Sequence, residues 1–173
     1  MSKTEENLKT AFAGEAQARN KYTFFAEVAK KAGLEQIAAI FEETANNEKA
    51  HAERIAELLK IIKNTNENLK TCIAGEHYER AEMYPNFEKI AREENQKEAA
   101  EFFKEVAEVE EKHEERYKKL LENSEKGTVF KKDEVARWKC RNCGYIHEGK
   151  EPPKICPLCK HPQSYYELLC ENY

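Results

Sequence analysis

The chain has 173 residues, 36% charged and 40% apolar, with six Gly and five Pro, which excludes a disordered tail or a collagen-like repeat and leaves room for one ordinary domain plus a small second one. Residues 135–173 hold six Lys/Arg against four Asp/Glu, leaving 23 against 29 for residues 1–134, and a region at formal minus six lacks the clustered positive charge that nucleic acid requires. The first twenty residues, MSKTEENLKTAFAGEAQARN, are charged throughout and no stretch reaches the length of a membrane helix, so a cytoplasmic protein with no membrane partner is expected.

From about Thr4 to Glu122 the sequence is rich in Ala, Glu, Lys and Leu at helical spacing, with almost no Gly or Pro inside the segments. It predicts four helices with breaks at Lys31–Gly33, at Lys63–Asn66 and near Glu94–Gln96, the last ending at Asn123–Ser124 before Gly127. Helices of such length, roughly 40 Å at about 1.5 Å per residue, belong in a bundle. Residues 1–124 therefore read as an all-α four-helix bundle, 125–134 as a polar linker, and 135–173 as a second domain of Cys, Pro, Gly and aromatics. That domain is so small that a bound metal is expected to stabilise it.

The bundle contains a repeat. Residues 6–19, ENLKTAFAGEAQAR, align without gaps to residues 67–80, ENLKTCIAGEHYER, with nine of fourteen identical, and Glu48 to Arg54 align with Glu110 to Arg116. Two copies of one helical hairpin are expected. On the second helix Ile37, Phe41, Thr44, Glu48, His51, Ile55, Leu58 and Ile62 follow steps of four and three, the spacing of a buried seam. The fourth repeats it with Phe103, Val106, Glu110, His113, Tyr117 and Leu120, the first with Leu8, Ala11, Glu15, Ala18, Tyr22 and Phe25, and the third with Leu69, Cys72, Glu76, Glu79, Met83 and Ile90.

Five carboxylates and two imidazoles thus interrupt apolar stripes that hold no Lys. Burying so many acids is costly unless a multivalent cation neutralises them. Glu-x-x-His at i and i+3 on two helices, with a Glu on each of the others, is the carboxylate-bridged dinuclear pattern. Level residues of a hairpin lie equally far from its turn, and the midpoints of Glu15/Glu48 and of Glu76/Glu110 both fall on expected turns. Hard oxygen donors with a little imidazole suit iron or manganese. Glu79, standing where the first hairpin has Ala18, is a surplus seventh donor that suits exchange between oxidation states. Off-seam acids such as Glu43, Glu53, Glu82 and Glu115 read as solvated surface charge.

In the second domain Cys140-x-x-Cys143 and Cys156-x-x-Cys159 have the spacing for tetrahedral binding of one metal by four thiolates. The module alone leaves zinc and iron open; beside a redox site, iron is favoured. Gly144 is expected to permit the tight turn that aims N–H groups at sulfur, and Trp138 and Tyr145 to form the small core. Cys72 reads as a small seam residue.

These motifs, AFAGEAQARNKY, GEHYERAEMYP, two Glu-x-x-His pairs, CRNCGYIHEG and CPLCKHPQSYYEL, resemble the rubrerythrin family over nearly the whole chain. The resemblance implies a ferritin-like bundle with a non-haem diiron site and a rubredoxin-like domain with a single iron. It places the diiron ligands on Glu15, Glu48, His51, Glu76, Glu79, Glu110 and His113, and the single iron on Cys140, Cys143, Cys156 and Cys159. It further implies reduction of hydrogen peroxide to water in oxidative-stress protection, with electrons from NAD(P)H arriving through a reductase and a redox partner such as rubredoxin. In the family, the residues matching Glu79 and His51 exchange as ligands to one iron, and Tyr22 and Tyr84 lie near the site as hydrogen-bonding groups. The alternative function is a ferroxidase or iron-handling ferritin-like protein. One departure concerns topology: pseudo-two-fold hairpins need a long crossover of at least about twelve extended residues, and the break at Lys63–Asn66 is only a few. Two solutions remain, an ordinary up-down-up-down chain without that symmetry or exchange of hairpins between two chains; the second is favoured, a homodimer in which Glu15, Glu48 and His51 of one chain share a site with the other four ligands of its partner.

Overall fold

The computed structural model describes residues 2–171, so Met1, Asn172 and Tyr173, at the outer edges of the first and last expected domains, lie outside it. The chain divides into two compact units, one running to Asn64 and the other starting at Thr65. In the first, helix α1 spans Lys3–Lys31. It starts where the sequence offers a cap: Ser2 Oγ accepts the Glu5 N–H at 3.2 Å, acids stand in the first turn and Lys30 and Lys31 in the last, each sign opposing the helix dipole. Gly33 ends it at φ +72°, with its N–H on Lys30 O at 2.9 Å and that of Leu34 on Ala29 O at 2.9 Å, and α2 follows over Glu35–Leu58.

The two helices close on alanine. Ala26 and Ala29 of α1 and Ala38, Ala45 and Ala56 of α2 are buried. Side chains this small allow close approach but bury little apolar area. The larger seam residues stay half open: Phe25 is 47% exposed, Ile37 46%, Leu58 51% and Ile62 55%. The periodicity predicts a closed core at these positions, whereas the hairpin fully buries only alanines, leaves Leu8, Tyr22, Phe41 and Ile55 part-buried, and leaves Phe25, Ile37, Leu58 and Ile62 exposed.

The second unit opens with a helix expected to be continuous and found in three parts: α3, Thr65–Tyr78, a π-helical segment, Glu79–Met83, and α4, Tyr84–Glu93. The Tyr84 N–H bonds Glu79 O, five residues back, which marks the widened turn. Pro85 follows in the first turn of α4, a position where its missing N–H costs least. The two repeat alignments differ by one residue at this point: Glu76 follows Glu15 by 61 positions, but Tyr84 follows Tyr22 by 62. The extra residue is accommodated by the π turn. Asn95, at φ +60°, then repeats the Gly33 cap, with its N–H on Arg92 O and that of Gln96 on Ala91 O, and α5 runs over Lys97–Glu125.

The expected linker is folded. Lys132 Nζ donates to Asn123 Oδ1 at 3.1 Å and Thr128 O at 2.9 Å, while its backbone N–H bonds Lys150 O at 2.8 Å. This stitches the end of α5 to a three-stranded antiparallel sheet of order β2-β1-β3, made of β1 Ala136–Cys140, β2 Ile146–Gly149 and β3 Tyr166–Leu168. Its core is Trp138, Cys140, Cys156 and Tyr166, with Tyr145 packed alongside, and Trp138 Nε1–H donates to Gly149 O at 2.9 Å. Trp138 and Tyr145 match the expectation, and Tyr166 is the addition. A core of this size depends on what the cysteines hold.

Candidate metal centres

The two Cys-x-x-Cys loops are copies of one turn. Gly144, at φ +79°, donates its N–H to Cys140 O at 2.8 Å, and Lys160, at φ +62°, donates to Cys156 O at 3.0 Å. The turn aims the Tyr145 N–H at Cys143 and the His161 N–H at Cys159, as the Gly144 reading requires. Cys140 Sγ lies 3.7 Å from Cys159 Sγ, and Cys143 Sγ 3.7 Å from Cys156 Sγ. A tetrahedron with metal–sulfur bonds of about 2.3 Å has edges of about 3.8 Å, so these two edges have the length such a metal needs, and all four sulfurs lie within 4.8 Å of one another. The Cys159 thiol is drawn down to about 5, first by the His161 N–H. Cys143 is pushed up to about 12: burial and the three neighbouring thiols outweigh the Tyr145 N–H bond, its largest single influence, which acts the other way. Four thiols at this spacing cannot all ionise without a cation. Lys160 adopts a left-handed conformation that disfavours side chains, so Lys160→Gly is expected to stabilise the iron-loaded module by about 1 kcal/mol, seen as a higher denaturant midpoint of its thiolate absorbance.

In the helical units the predicted donors form two matching triads. Glu15, Glu48 and His51 offer donor atoms within 4.8 Å of one another, and so do Glu76, Glu110 and His113. His51 Nδ1 lies 2.9 Å from Glu48 Oε2 and 3.8 Å from Glu15 Oε1, while His113 Nδ1 lies 2.6 Å from Glu110 Oε2 and 3.5 Å from Glu76 Oε2. The i, i+3 spacing creates the first contact of each pair and the neighbouring helix brings the second. Glu15 is raised above the ordinary carboxylate range chiefly by sharing a hydrogen bond with Glu48, and Glu76 by burial and then by Glu110. Carboxylates that raise one another in this way are placed to be neutralised by a cation. Two carboxylates and an imidazole per hairpin fit half of a dinuclear iron site.

The donors do not all meet. Among the described residues Glu79 stands outside both triads, although its charge reaches Glu76 and Tyr84. Tyr84 is held above the ordinary tyrosine range by burial and then by Glu79, Glu110 and Glu76, so its phenol stays protonated. Each triad adjoins an aromatic cluster, Tyr22, Phe25 and Phe41 in one hairpin and Tyr84, Phe87 and Phe103 in the other, with ring centroids 5.5 to 6.4 Å apart. Glu43, Glu53, Glu82 and Glu115 are exposed, as expected. Periodicity missed Glu114, an off-seam acid only 3% exposed. Its carboxyl is held down at about 2 by hydrogen bonds from Lys118 and Arg80. The available signal is its place directly after His113.

Comparison with known proteins agrees with this division. A family model described as rubrerythrin matches residues 6–121, and one described as the rubredoxin-like domain of rubrerythrin matches residues 138–167. A rubrerythrin of Porphyromonas gingivalis is 49% identical over 99% of this chain and 92% of its own length, and one of Nitratidesulfovibrio vulgaris is 46% identical over 99% and 97%. A solved nigerythrin in a partially reduced state is 34% identical over 98% of this chain and 88% of its own, with a TM-score of 0.38. The helical part is accordingly ferritin-like and the sheet rubredoxin-like, and a diiron site and a single four-thiolate iron are the centres that go with them. By both its domains, and by relatives that span its whole length, the chain belongs to the rubrerythrin family.

Proposed function

We propose that this protein is a non-haem diiron peroxidase of the cytoplasm that reduces hydrogen peroxide to water and protects against oxidative stress. Its dinuclear site is assigned to Glu15, Glu48, His51, Glu76, Glu79, Glu110 and His113, and its electron-entry iron to Cys140, Cys143, Cys156 and Cys159. The observation that carries the reading is two matching carboxylate–imidazole triads and one tetrahedral thiolate set in a single chain. Reduction of one peroxide consumes two electrons and two protons and yields two waters; a diiron centre held by the helical carboxylates and imidazoles would supply the electron pair, and an iron held by Cys140, Cys143, Cys156 and Cys159 would supply the one-electron chemistry that restores it. The electrons come from NAD(P)H through a reductase and a rubredoxin-type carrier. No described helix is long and apolar enough to cross a membrane.

The chain's own groups set the conditions. A cation entering between Glu15 and Glu48, or between Glu76 and Glu110, would relieve the carboxylate–carboxylate contacts that help to raise Glu15 and Glu76. Tyr84 keeps its proton and is available as a hydrogen-bond donor beside Glu79, Glu110 and Glu76. His51, held to Glu48 at 2.9 Å, has 59% of its side chain exposed, and the open space beside it supports the exchange with Glu79 that the family implies.

The site is completed by exchange of hairpins between two chains. Each hairpin holds one triad and an open apolar seam, and a second copy supplies a face of the same chemistry. The connector from Leu59 to Asn64 is six residues and spans at most about 20 Å, whereas α2 is about 36 Å long at about 1.5 Å per residue. A crossover that returns the length of a helix is beyond its reach.

The test of the peroxidase reading is anaerobic. In fully reduced, iron-loaded protein, stoichiometric hydrogen peroxide should restore the ferric–thiolate absorbance rapidly, faster than dioxygen does, and Cys140→Ser should abolish the signal. An unchanged absorbance in protein of confirmed iron content overturns the reading in favour of a ferroxidase.

A further inference from the structure

The residue that follows each donor of the second hairpin belongs to one charged network. Glu76, Glu79, Glu110 and His113 are followed by His77, Arg80, Glu111 and Glu114. Glu114 is its centre, with 4% of its side chain exposed. Arg80 Nε–H donates to Glu114 Oε2; His77 Nδ1 lies 3.2 Å from Glu114 Oε1 and Lys118 Nζ 2.5 Å from the same oxygen. Arg80 Nη1 also lies 3.7 Å from Glu111 Oε1. One step along a helix is about 100° of rotation, so these contacts tie α3 and the π-helical segment to α5 directly beside the donor face.

The first hairpin has no counterpart to this network. The positions that match His77, Arg80, Glu111 and Glu114 are Ala16, Arg19, Lys49 and Ala52, and two alanines and two cations cannot build it. The asymmetry coincides with the other two differences between the repeats: the π segment and Glu79 occur in the second hairpin alone. Arg80 lies inside that segment, one residue after Glu79. A widened turn has weaker intrinsic preference than an α-helix and needs an external hold.

We propose that Glu114 is a positioning residue, which fixes the π-helical segment to α5 through Arg80 and thereby sets the place of Glu79 relative to Glu76, Glu110 and His113. The inference rests on the dinuclear-site reading above. Directional hydrogen bonds beside a ligand shell orient the ligands, and their loss lowers metal affinity about 10- to 100-fold. A carboxylate buried with two cationic partners, Arg80 and Lys118, and an adjoining imidazole does more than add stability here: among the described residues it holds the only irregular turn of the four long helices, at the donor that has no equivalent in the first repeat.

The experiment titrates full-length, metal-stripped protein with Co²⁺ alone under anaerobic conditions. The thiolate charge-transfer band reports the four-cysteine module, and the weaker ligand-field bands report the helical donors. In Glu114→Gln the weaker of the two helical dissociation constants should rise about 10- to 100-fold while the thiolate band is unchanged. Glu79→Ala alone should give a similar rise and add less than about twofold to Glu114→Gln, because both act on one donor. The double variant Arg80→Leu/Glu114→Leu removes both charges without stranding either, and should show the same loss if the single variant does not fold. Wild-type affinity in Glu114→Gln or in the leucine pair, or a Glu79→Ala effect that adds in full, overturns the proposal. Failure of the wild-type protein to bind two Co²⁺ ions at the helical donors overturns the dinuclear reading itself, and the inference with it.

Discussion

Deletion of Ala81 is expected to leave a folded helical hairpin that has lost the use of Glu79, and to slow peroxide-driven reoxidation about 10- to 100-fold, as Glu79→Ala does. The deletion removes one residue from the π-helical segment Glu79–Met83, at a position exposed to solvent. It brings the second repeat into one uniform 61-residue register with the first across α1 and α3–α4, so that Tyr84 and Phe87 fall where Tyr22 and Phe25 stand. Those aromatic residues pack on Phe103 and Phe41 in the two hairpins with closely similar geometry, which shows that an uninterrupted helix can make the same contacts. What it cannot keep is the local displacement of the backbone at residue 79, which would then occupy the place of Ala18. Circular dichroism should report retained helix, and the Glu79→Ala change should add little in the deletion background. A deletion variant that reoxidises at the wild-type rate would show that Glu79 reaches the site without the π turn.

The helices and thiolate loops were legible because each rests on a local signal. Gly33 and Asn95 close their helices in a left-handed conformation, and four cysteines at two fixed spacings need only a repeated turn to converge. The π segment was encoded more faintly. It is visible only as the difference between two internal alignments, since no residue in Glu-Arg-Ala-Glu-Met favours a widened turn by itself; Pro85 merely tolerates it. Glu114 left no periodic trace, because its burial depends on Arg80 and Lys118, and an acid one step off a seam looks like the exposed Glu115 beside it. The seam residues were read as core from spacing alone. Spacing identifies a face that must be covered but not the chain that covers it, and Phe25 and Ile37 remain half exposed for that reason.

Hairpin exchange makes a quantitative prediction about mixed dimers. One chain carries Glu15→Ala and Glu48→Ala, the other Glu76→Ala and Glu110→Ala, and differently tagged copies are purified together by both tags. If the first hairpin of each chain completes the second of its partner, the mixed dimer contains one site with all seven donors and one with both defects. It should therefore retain about half the helical iron and about half the peroxide-linked activity of a wild-type dimer, while each parent homodimer retains neither. Without exchange every site in the mixed dimer carries one defect, and activity stays at the parental level. Recovery of no mixed dimer at all would equally dispose of the exchange, since the open seams at Phe25, Ile37, Ile90 and Leu120 would then have some cover other than a second chain. The expected outcome follows from what each hairpin leaves uncovered: its fully buried residues are alanines, which contribute little apolar area between helices of 29 and 24 residues, while Phe25, Ile37 and Leu58 are about half exposed on a face that a matching hairpin of a second chain would cover.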